Sequence, residues 1–418
     1  MATCKYLIVG AGHAGLSAIE AIRRLDPEGS IILFNREAGL PYSPTILPYV
    51  VTGQVDPRNI FLRDHEKFQR LNVEYRPDGA LAALKPGSRT ATLSSGESLP
   101  YEKILLATGA APALPPVPGL EHTRFHVLRT LQDALRLRKA AAKTAAALVI
   151  GAGLIGMHAA ESLFRVGMKV TVVEHLSRVL PGYFDEEASG IIQRIFESEG
   201  VRFLTGKRIT HASVSKGRIL AVLDSGSELS ADVLVVAAGV RPSMEYLTDS
   251  GIDVEQGILV DRRMRTSAEA VWAAGDVAQA PDFYGPERKL NATLPNAVEQ
   301  GRIAGMDMVG DPALKPYTGS IPVNTYRFFG NRAFSVGWTS SPLPRQHAKT
   351  VKTASSTGYR KFVFEEDRLI GTLGINTDLD PGILSEMIKR RIGLSDLETR
   401  FNLLPLETGR ILMTRTWR

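Results

Sequence analysis

The sequence predicts an α/β protein with two nucleotide-binding units and a smaller third domain. The main observation is a repeat, because residues 5–35 and 147–174 follow the same pattern. Each segment has a short apolar strand, a glycine turn, an amphipathic helix and a second apolar strand, which is typical of a unit built on a parallel sheet. The second observation is the length of the chain. A chain of 418 residues is too long for one hydrophobic core, which predicts two or three domains.

The two glycine turns share the spacing G-x-G-x-x-G, with Gly10, Gly12 and Gly15 in the first segment and Gly151, Gly153 and Gly156 in the second. The first glycine of each turn permits a tight bend, and the second lets a pyrophosphate approach the backbone. The third lets the helix pack closely on the strand, and the helix N-terminus offers free N–H groups to the phosphates. Because each turn has a strand before it and a helix after it, we predict two Rossmann-like dinucleotide-binding domains.

The residue that ends the second strand indicates which dinucleotide each turn binds. Glu174 lies about 20 residues past the second glycine turn, where a carboxylate accepts a hydrogen bond from a ribose 2′-OH. It would repel a 2′-phosphate, so NAD(H) is predicted there rather than NADP(H). In the first segment Asn35 holds this position and Glu37 is the nearest carboxylate, so we predict that Glu37 contacts the adenosine ribose.

Composition and charge exclude other classes of protein. The chain is 44% apolar and 22% charged, which is ordinary for a soluble globular protein, and its longest apolar run, 145–157, is too short to span a bilayer. No secretory signal is expected, because the chain opens on a strand. Cys4 is the only cysteine, which excludes an intramolecular disulfide and a cysteine-only metal site and fits a reducing, cytoplasmic setting; we predict no metal site. Nothing in the net charge of +6 indicates nucleic-acid binding.

Further segments make the chain resemble the FAD- and NAD(P)-dependent pyridine nucleotide oxidoreductases over almost its whole length. They are LLATG (105–109), VPG (117–119) with LRT (128–130), VVAAGVRP (235–242), WAAGD (272–276) and AVEQG (297–301). The subgroup looks like the ferredoxin and rubredoxin reductases, whose small C-terminal domain is similar to residues from about 320 to the end. In that region 359–363 and 369–371 look like two strands, and residues 40–51 also resemble the NAD(H)-linked flavin subunit of a multisubunit enzyme.

The resemblance implies that the first turn binds FAD and the second NAD(H), and it extends both sites beyond the turn glycines and acidic residues. The predicted FAD residues are Gly10, Gly12, His13, Ala14, Gly15, Asn35, Arg36, Glu37, Ala107, Thr108, Gly109, Arg129, Gly275, Asp276 and Pro295. The predicted NAD(H) residues are Gly151, Gly153, Leu154, Ile155, Gly156, Glu174, Ala238 and Gly239. Within the FAD set, Asp276 is expected to bind the ribityl or pyrophosphate region.

Three positions depart from the family pattern. Relatives that reduce disulfides, peroxide or oxygen carry a redox cysteine where this chain has Thr45, and a hydroxyl cannot form the required thiolate or disulfide. His158 stands where many reductases have a glutamate near the nicotinamide, so it either contacts the nicotinamide or packs against the sheet. Pro44 replaces an arginine that touches the flavin pyrophosphate in relatives, so Arg36 or Arg129 is expected to supply the charge.

The resemblance therefore implies an FAD-dependent NAD(H) oxidoreductase without a redox-active disulfide, which passes single electrons to or from an iron–sulfur partner. Two arrangements stay open: a flavin subunit of a larger hetero-oligomer, or a free-standing ferredoxin or rubredoxin reductase. A flavin-bearing structural or signalling protein is the alternative of another class. We expect an FAD domain at 1–112 and 243–320, an inserted NAD domain at 113–242 and a small α+β C-terminal interface domain at 321–418.

Overall fold

The computed structural model describes residues 3–142, 145–339 and 348–416. Its strands are β1 (Cys4–Val9), β2 (Ile31–Phe34), β3 (Val73–Arg76), β4 (Leu81–Lys85), β5 (Thr90–Leu93), β6 (Ser98–Leu106), β7 (Ala110–Pro112), β8 (Phe125–His126), β9 (Ala146–Ile150), β10 (Lys169–Glu174), β11 (Arg202–Thr205), β12 (Ile209–Ser215), β13 (Arg218–Leu223), β14 (Glu228–Ala231), β15 (Val233–Val236), β16 (Val240–Pro242), β17 (Ile258–Leu259), β18 (Val271–Ala273), β19 (Ala278–Pro281), β20 (Arg288–Lys289), β21 (Val323–Phe328), β22 (Asn331–Gly337), β23 (Ala348–Ala354), β24 (Tyr359–Glu365) and β25 (Arg368–Ile375). Its α-helices are α1 (His13–Leu25), α2 (Leu47–Thr52), α3 (His65–Arg70), α4 (Leu131–Ala141), α5 (Leu154–Arg165), α6 (Glu186–Glu199), α7 (Leu294–Val309), α8 (Pro381–Lys389), α9 (Glu398–Leu403) and α10 (Pro405–Thr416).

The chain divides into two compact units, each made of three segments. The first unit comprises the residues up to Ile46, Pro57–Ala111 and Val240–Ile321. The second comprises Leu47–Asp56, Pro112–Gly239 and the residues from Pro322 onwards. Each glycine turn therefore belongs to a unit of its own. No helix in the described part of the chain is long and apolar enough to cross a membrane.

The first unit is built on a sheet in which β3, β2, β1 and β6 run parallel in that order, and β18 continues the parallel pairing beyond β6. The strands β1 and β2 are almost completely buried, as expected for a parallel sheet covered on both faces. Helices α1 and α7 pack closely, because a Cβ on Gly301 would lie 2.1 Å from the carbonyl oxygen of Ala14, and one on Gly305 2.4 Å from that of Ala18. The predicted parallel sheet is confirmed here.

The second unit contains a five-stranded parallel sheet in the order β11-β10-β9-β15-β8. A three-stranded antiparallel sheet, β12-β13-β14, lies between β11 and β15 in the chain and shares a hydrophobic core with the parallel sheet. Helix α2 packs on α4 and α5, and the Ser162 hydroxyl donates to the Pro48 carbonyl at 3.2 Å. The parallel sheet predicted for the second glycine turn is therefore also confirmed.

The C-terminal part of the second unit is an antiparallel sheet in the order β21-β22-β25-β24-β23, with helices α8, α9 and α10. The two strands predicted at 359–363 and 369–371 lie within β24 and β25. Asp185, which caps α6, accepts hydrogen bonds from the Tyr359 hydroxyl at 2.7 Å and the Lys361 ammonium at 2.9 Å. These bonds attach the C-terminal sheet to the nucleotide-binding part of the unit.

Candidate functional site

The first glycine turn follows β1 in the first unit, and its outer glycines are required by the backbone. Gly10 has a φ of +116°, and a Cβ there would lie 2.1 Å from the carbonyl oxygen of Ala107. A Cβ on Gly15 would lie 2.0 Å from the carbonyl oxygen of Gly10. Neither position accepts a side chain, because real Cβ atoms do not approach a backbone oxygen so closely. The turn brings the ends of β1 and β6 and the start of α1 together.

The middle glycine of this turn has a different role. A Cβ on Gly12 would meet no atom within 4 Å, so the space beside it is open. No side chain caps α1 at Gly12, and the first turn of the helix contains no acidic residue. An uncapped helix N-terminus beside open space favours an anion, because its N–H groups and the helix dipole are directed there. This arrangement fits the pyrophosphate of FAD.

The predicted ribose contacts form a small hydrogen-bonded group after β2. The Asn35 amide donates to the Glu37 carbonyl at 3.1 Å and to the Tyr75 hydroxyl at 3.3 Å. The Glu37 carboxylate accepts a hydrogen bond from the Tyr42 hydroxyl and stays partly exposed, whereas Arg36 is exposed. A fixed, accessible carboxylate at this place fits a ribose hydroxyl, and the contact remains a prediction.

The Thr108 hydroxyl has two hydrogen-bond partners in one later segment of the first unit. Its hydroxyl donates to the Ser243 carbonyl and is hydrogen-bonded to the Tyr246 hydroxyl, both at 2.9 Å. The Gly109 carbonyl accepts from the Ser243 backbone N–H at 3.0 Å. The A-T-G segment therefore joins two of the three segments of the first unit, Pro57–Ala111 and Val240–Ile321. Contacts between this segment and FAD would come from its backbone.

The WAAGD segment and the start of α7 complete the first site. The Gly275 N–H donates to the buried side-chain oxygen of Gln300 at 2.8 Å, and Asp276 beside it is partly exposed. Helix α7 begins with the exposed Pro295 in its first turn, and no side chain caps it. The Asn291 amide nitrogen and the Thr293 hydroxyl are buried there without a hydrogen-bond partner.

Buried polar groups in native proteins are almost always paired, so these two atoms at the start of α7 are available to hydrogen-bond a ligand. A flavin ring carries carbonyl oxygens and an N–H group, which would satisfy both atoms. The residues present therefore fit FAD. Sequence reasoning missed Asn291 and Thr293, although a threonine two residues before Pro295 is a recognisable signal for a helix start.

The second glycine turn repeats the geometry of the first. Gly151 has a φ of +99°, and a Cβ there would lie 2.4 Å from the Ala237 carbonyl oxygen. A Cβ on Gly156 would lie 1.9 Å from the Gly151 carbonyl oxygen, whereas one on Gly153 would meet nothing within 4 Å. Helix α5 starts uncapped, with Leu154 and the exposed Ile155 as its first residues. The second turn therefore also fits a pyrophosphate.

Glu174 ends β10 and lies against this turn. Its side chain is only 5% exposed. One carboxylate oxygen accepts from the Ala152 N–H at 2.7 Å, and the other accepts from the Leu176 N–H at 2.8 Å and pairs with His175 Nδ1 at 2.9 Å. The sequence predicted a ribose acceptor here. The structure adds that the same carboxylate holds the middle of the glycine turn.

The remaining predicted contacts of the second unit are less enclosed. Ala238 and Gly239 follow β15 and are exposed, and the Gly239 carbonyl accepts from the Ala113 N–H at 2.9 Å. Arg129, predicted to support the flavin pyrophosphate, lies in this unit just before α4. Arg178, four residues after Glu174, has a buried Nε without a hydrogen-bond partner and is a further candidate to contact the nucleotide.

His158 lies on α5 and makes an edge-to-face contact with the Tyr326 ring, with 4.8 Å between the ring centroids. Burial lowers the pKa of His158 to about 4, so the ring is neutral at pH 7. Part of its surface stays accessible. The ring therefore packs on β21, and a nicotinamide contact from its accessible part remains a prediction.

Two dinucleotide turns on parallel sheets, one fitting FAD and one fitting NAD(H), define a flavin- and nicotinamide-dependent oxidoreductase. The sequence profile of the pyridine nucleotide-disulphide oxidoreductases matches residues 4–301, and the chain belongs to this family. Membership implies FAD and NAD(H) as cofactors and confirms the predicted resemblance.

Three individual proteins are similar to this chain over more than 90% of its length. The chain is 49% identical over 416 residues to the NADH-dependent phenylglyoxylate dehydrogenase subunit epsilon of Aromatoleum evansii, covering 99% of this chain and 98% of that protein. It is 29% identical over 388 residues to the rubredoxin-NAD(+) reductase of Pseudomonas putida, covering 92% of this chain and 98% of that protein. The solved structure of a ferredoxin reductase from Rhodopseudomonas palustris is 27% identical and superimposes with a TM-score of 0.82, covering 93% of this chain and 100% of that one.

Replacing Glu174 with alanine should weaken NADH binding more than FAD binding. The change removes the predicted ribose acceptor and leaves the Ala152 and Leu176 N–H groups without their partner. Each lost hydrogen bond of this kind costs about 1–3 kcal/mol, so we expect NADH affinity to fall roughly 5- to 150-fold. Calorimetric titration of the FAD-loaded protein with NADH measures this.

The matched variant for this test is Glu174→Gln, which keeps one carbonyl acceptor and removes the charge. It should lose less NADH affinity than Glu174→Ala and discriminate less against NADPH, because the repulsion of a 2′-phosphate is gone. Equal losses of FAD and NADH in both variants would count against the assignment of Glu174 to the NAD(H) site.

Proposed function

We propose that this protein is the NAD(H)-linked flavin subunit of a larger oxidoreductase that exchanges electrons with an iron–sulfur partner. The observation that carries the proposal is the 49% identity, over almost the full length of both chains, to a subunit of NADH-dependent phenylglyoxylate dehydrogenase. Residues 40–51 already resembled that flavin subunit in sequence. The proposed complex is a multisubunit enzyme of the same type as phenylglyoxylate dehydrogenase.

The residues of this chain bind and position the cofactors. The turn at Gly12 and the start of α7 hold FAD, and the turn at Gly153 with Glu174 holds NAD(H). When bound, FAD exchanges hydride with NAD(H) and single electrons with an iron–sulfur centre. The chain itself orients both cofactors and excludes NADP(H) through the Glu174 carboxylate. No side-chain nucleophile is needed for this reaction.

The cysteine content supports an external electron partner. Cys4 is the only cysteine, it is buried in β1, and its thiol donates to the Tyr6 carbonyl at 3.1 Å. Burial raises the pKa of the Cys4 thiol, so it stays protonated and unreactive at neutral pH. A disulfide cannot form within one chain that has one cysteine. Electrons must therefore leave for, or arrive from, another protein.

The domain division belongs to this proposal. We propose an FAD domain at 1–112 and 243–320, an NAD domain at 113–242 and an interface domain at 321–418. The changes of unit after Ala111, Gly239 and Ile321 support these boundaries, whereas Leu47–Asp56 lies in the second unit although the proposed FAD domain includes it. The C-terminal sheet shares a unit with the NAD segment, through the bonds of Asp185. We also propose a cytoplasmic location, which fits a single reduced cysteine.

A free-standing ferredoxin or rubredoxin reductase is the second candidate, favoured by the full-length match to a rubredoxin-NAD(+) reductase. The two candidates share the flavin chemistry and differ in assembly. A flavin-bearing structural or signalling protein is the third, and it differs in having no productive exchange with NADH.

Anaerobic mixing with NADH tests the reaction. The yellow FAD-loaded protein should bleach with NADH at lower concentrations than with NADPH, and the bleached protein should then reduce an added bacterial ferredoxin. Failure to bleach would favour the structural or signalling role. Affinity purification of the tagged chain from its source cell separates the other two candidates: iron–sulfur subunits that stay bound support the complex, and an isolated monomer or homodimer contradicts it.

A further inference from the structure

Tyr317 is a buried side chain of the first unit that has no role in the sites described above. It lies in the segment 311–320, which follows α7 and contains no helix or strand. The Tyr317 N–H donates to the Arg262 carbonyl at 2.7 Å, and the Arg262 guanidinium donates to the Tyr317 carbonyl at 2.8 Å. These two backbone bonds hold Tyr317 in place independently of its hydroxyl.

The Tyr317 hydroxyl fixes the start of α7. It donates to the side-chain oxygen of Asn296, in the first turn of that helix. Because this oxygen accepts, the Asn296 amide nitrogen is directed to the Asn291 carbonyl, to which it donates at 2.8 Å. The same carbonyl accepts from the Thr293 N–H at 2.9 Å. The turn 291–293, which carries the two unpaired buried atoms of Asn291 and Thr293, is therefore held from Tyr317.

The same hydroxyl is linked to the WAAGD segment. The Gln300 side chain is hydrogen-bonded to the Tyr317 hydroxyl, and its oxygen accepts from the Gly275 N–H at 2.8 Å. Asn296 and Gln300 lie on one face of α7, because they are one helical turn apart. Gly275 also approaches α1, since a Cβ there would lie 3.1 Å from the Ala14 Cβ. One hydroxyl therefore stands behind two elements of the predicted FAD site.

All hydrogen-bonding positions of the Tyr317 hydroxyl are used. Burial raises the pKa of Tyr317 above its ordinary value, so the hydroxyl keeps its proton at neutral pH. A neutral hydroxyl has one donor and two acceptor positions. The donor serves Asn296, and Gln300 and Ser320 occupy the acceptor positions. The hydroxyl therefore sets the orientation of the Asn296 amide, which would lose its bond to the Asn291 carbonyl if it were flipped.

We propose that Tyr317 is a positioning residue for FAD, which acts through Asn296 and Gln300 and holds the turn 291–293 and the Gly275 turn in one arrangement. The Asn291 amide and the Thr293 hydroxyl then meet the cofactor without reordering. Preorganised groups bind more tightly, because less conformational freedom is lost on binding. The inference rests on the proposed function, in which this unit binds FAD.

Tyr317→Phe tests the proposal, because it removes the hydroxyl and keeps the ring and both bonds to Arg262. We expect the affinity of the cofactor-free protein for FAD to fall about 10-fold, measured by the quenching of flavin fluorescence. The matched control is Tyr101→Phe. Tyr101 is equally buried in β6 of the same unit, and its hydroxyl has no hydrogen-bond partner in the described part of the chain. The control should keep the native affinity, and a Tyr317→Phe affinity equal to that of the control would overturn the proposal.

Hydrogen exchange of the cofactor-free protein distinguishes positioning of the site from a role confined to the segment 311–320. Tyr317→Phe should speed exchange of the Gly275 N–H about 10-fold, because its acceptor Gln300 loses an anchor. The Tyr317 N–H should exchange at the native rate, because it stays on the Arg262 carbonyl. Faster exchange at the Tyr317 N–H with no change at Gly275 would overturn the proposal.

Asn296→Leu removes the same link from the side of α7 and keeps the proposal testable if Tyr317→Phe folds poorly. It should also weaken FAD binding about 10-fold, and the double variant should lose less than the product of the two single losses. Full FAD affinity in Asn296→Leu would overturn the proposal, as would single losses that multiply fully. A native protein that binds no FAD would overturn the proposed function as well, whereas native binding with unaffected variants overturns this inference alone.

Discussion

Gly12→Ala is expected to weaken FAD binding while the cofactor-free protein folds as before. The added methyl group meets no protein atom within 4 Å, and Gly12 has a φ of −77°, which any residue adopts. The methyl group would enter the space that fits the pyrophosphate. Overpacking of this kind costs about 1–3 kcal/mol, which corresponds to a roughly 5- to 150-fold weaker affinity. Fluorescence titration of the cofactor-free variant with FAD measures the loss.

The same change in the second turn should act on the other cofactor. Gly153→Ala also adds its methyl group to open space, with a φ of −73° at that residue. FAD content should stay at the native level, and NADH affinity should fall by a similar factor. This pair of variants therefore assigns one cofactor to each turn without disturbing either fold.

Controls for both variants are available in the chain. Gly87→Ala in the first unit and Gly182→Ala in the second also place a methyl group in open space at an ordinary φ, and neither lies in a glycine turn. Both should leave FAD and NADH affinities unchanged. If Gly12→Ala lowers NADH affinity and leaves FAD bound, the assignment of the two turns is reversed.

Asp307→Ala should destabilise the first unit strongly, because it removes a buried carboxylate that three side chains contact. The Asp307 carboxylate on α7 is only 2% exposed, and it accepts bonds from Arg263 at 3.1 Å, from Arg265 at 2.5 and 3.0 Å, and from the Trp272 indole at 2.9 Å. Removing one partner of a buried ion pair costs about 3–5 kcal/mol. Both arginines are about half exposed and keep part of their hydration, so we expect about 3 kcal/mol.

Urea unfolding followed by tryptophan fluorescence tests this expectation. The control is Asp253→Ala, which removes an exposed carboxylate of the same unit and should change the unfolding free energy by less than about 0.5 kcal/mol. Because α7 begins at the predicted flavin site, Asp307→Ala should lose FAD on mild heating before the control does. Equal midpoints for the two variants would contradict the role of Asp307.

The pH dependence of stability should follow from the same carboxylate. Burial alone would raise the pKa of Asp307, but the hydrogen bonds from Arg265 and Trp272 outweigh it, so the pKa in the folded protein is lowered. A lowered pKa stabilises the fold above the unfolded value near 4, and this contribution is lost as pH falls through the folded value. Asp307→Ala should therefore lose less stability in acid than the native protein does.

The sequence predicted the two parallel sheets and the two turns because their signals are local. A glycine turn between a strand and a helix is specified within one segment, and the acidic residue after the next strand is only one strand further on. Two strands of the C-terminal sheet were predicted from the family resemblance and lie where it implied.

Contacts between distant segments were beyond the reach of the sequence. The unpaired Asn291 and Thr293 belong to the site only because α7 packs on α1, through Gly301 and Gly305. The hydrogen bond between His13 Nε2 and Ser43 Oγ, which are 2.9 Å apart, depends on a loop 30 positions later that turns back towards the start of α1. No periodicity predicts such a meeting, because it depends on how the helices and sheet pack.

By itself the sequence determined that this protein has two G-x-G-x-x-G turns and that no second cysteine is available for a disulfide, and it predicted which acidic residue serves the second turn. The tertiary structure decided which further contacts those residues and their neighbours make within the protein. It showed that Glu174 holds the Ala152 N–H of its own turn, that Thr108 joins distant parts of one unit, and that only the middle glycine of each turn faces open space. The physical reason is that hydrogen bonding and steric room depend on neighbours that only folding brings together.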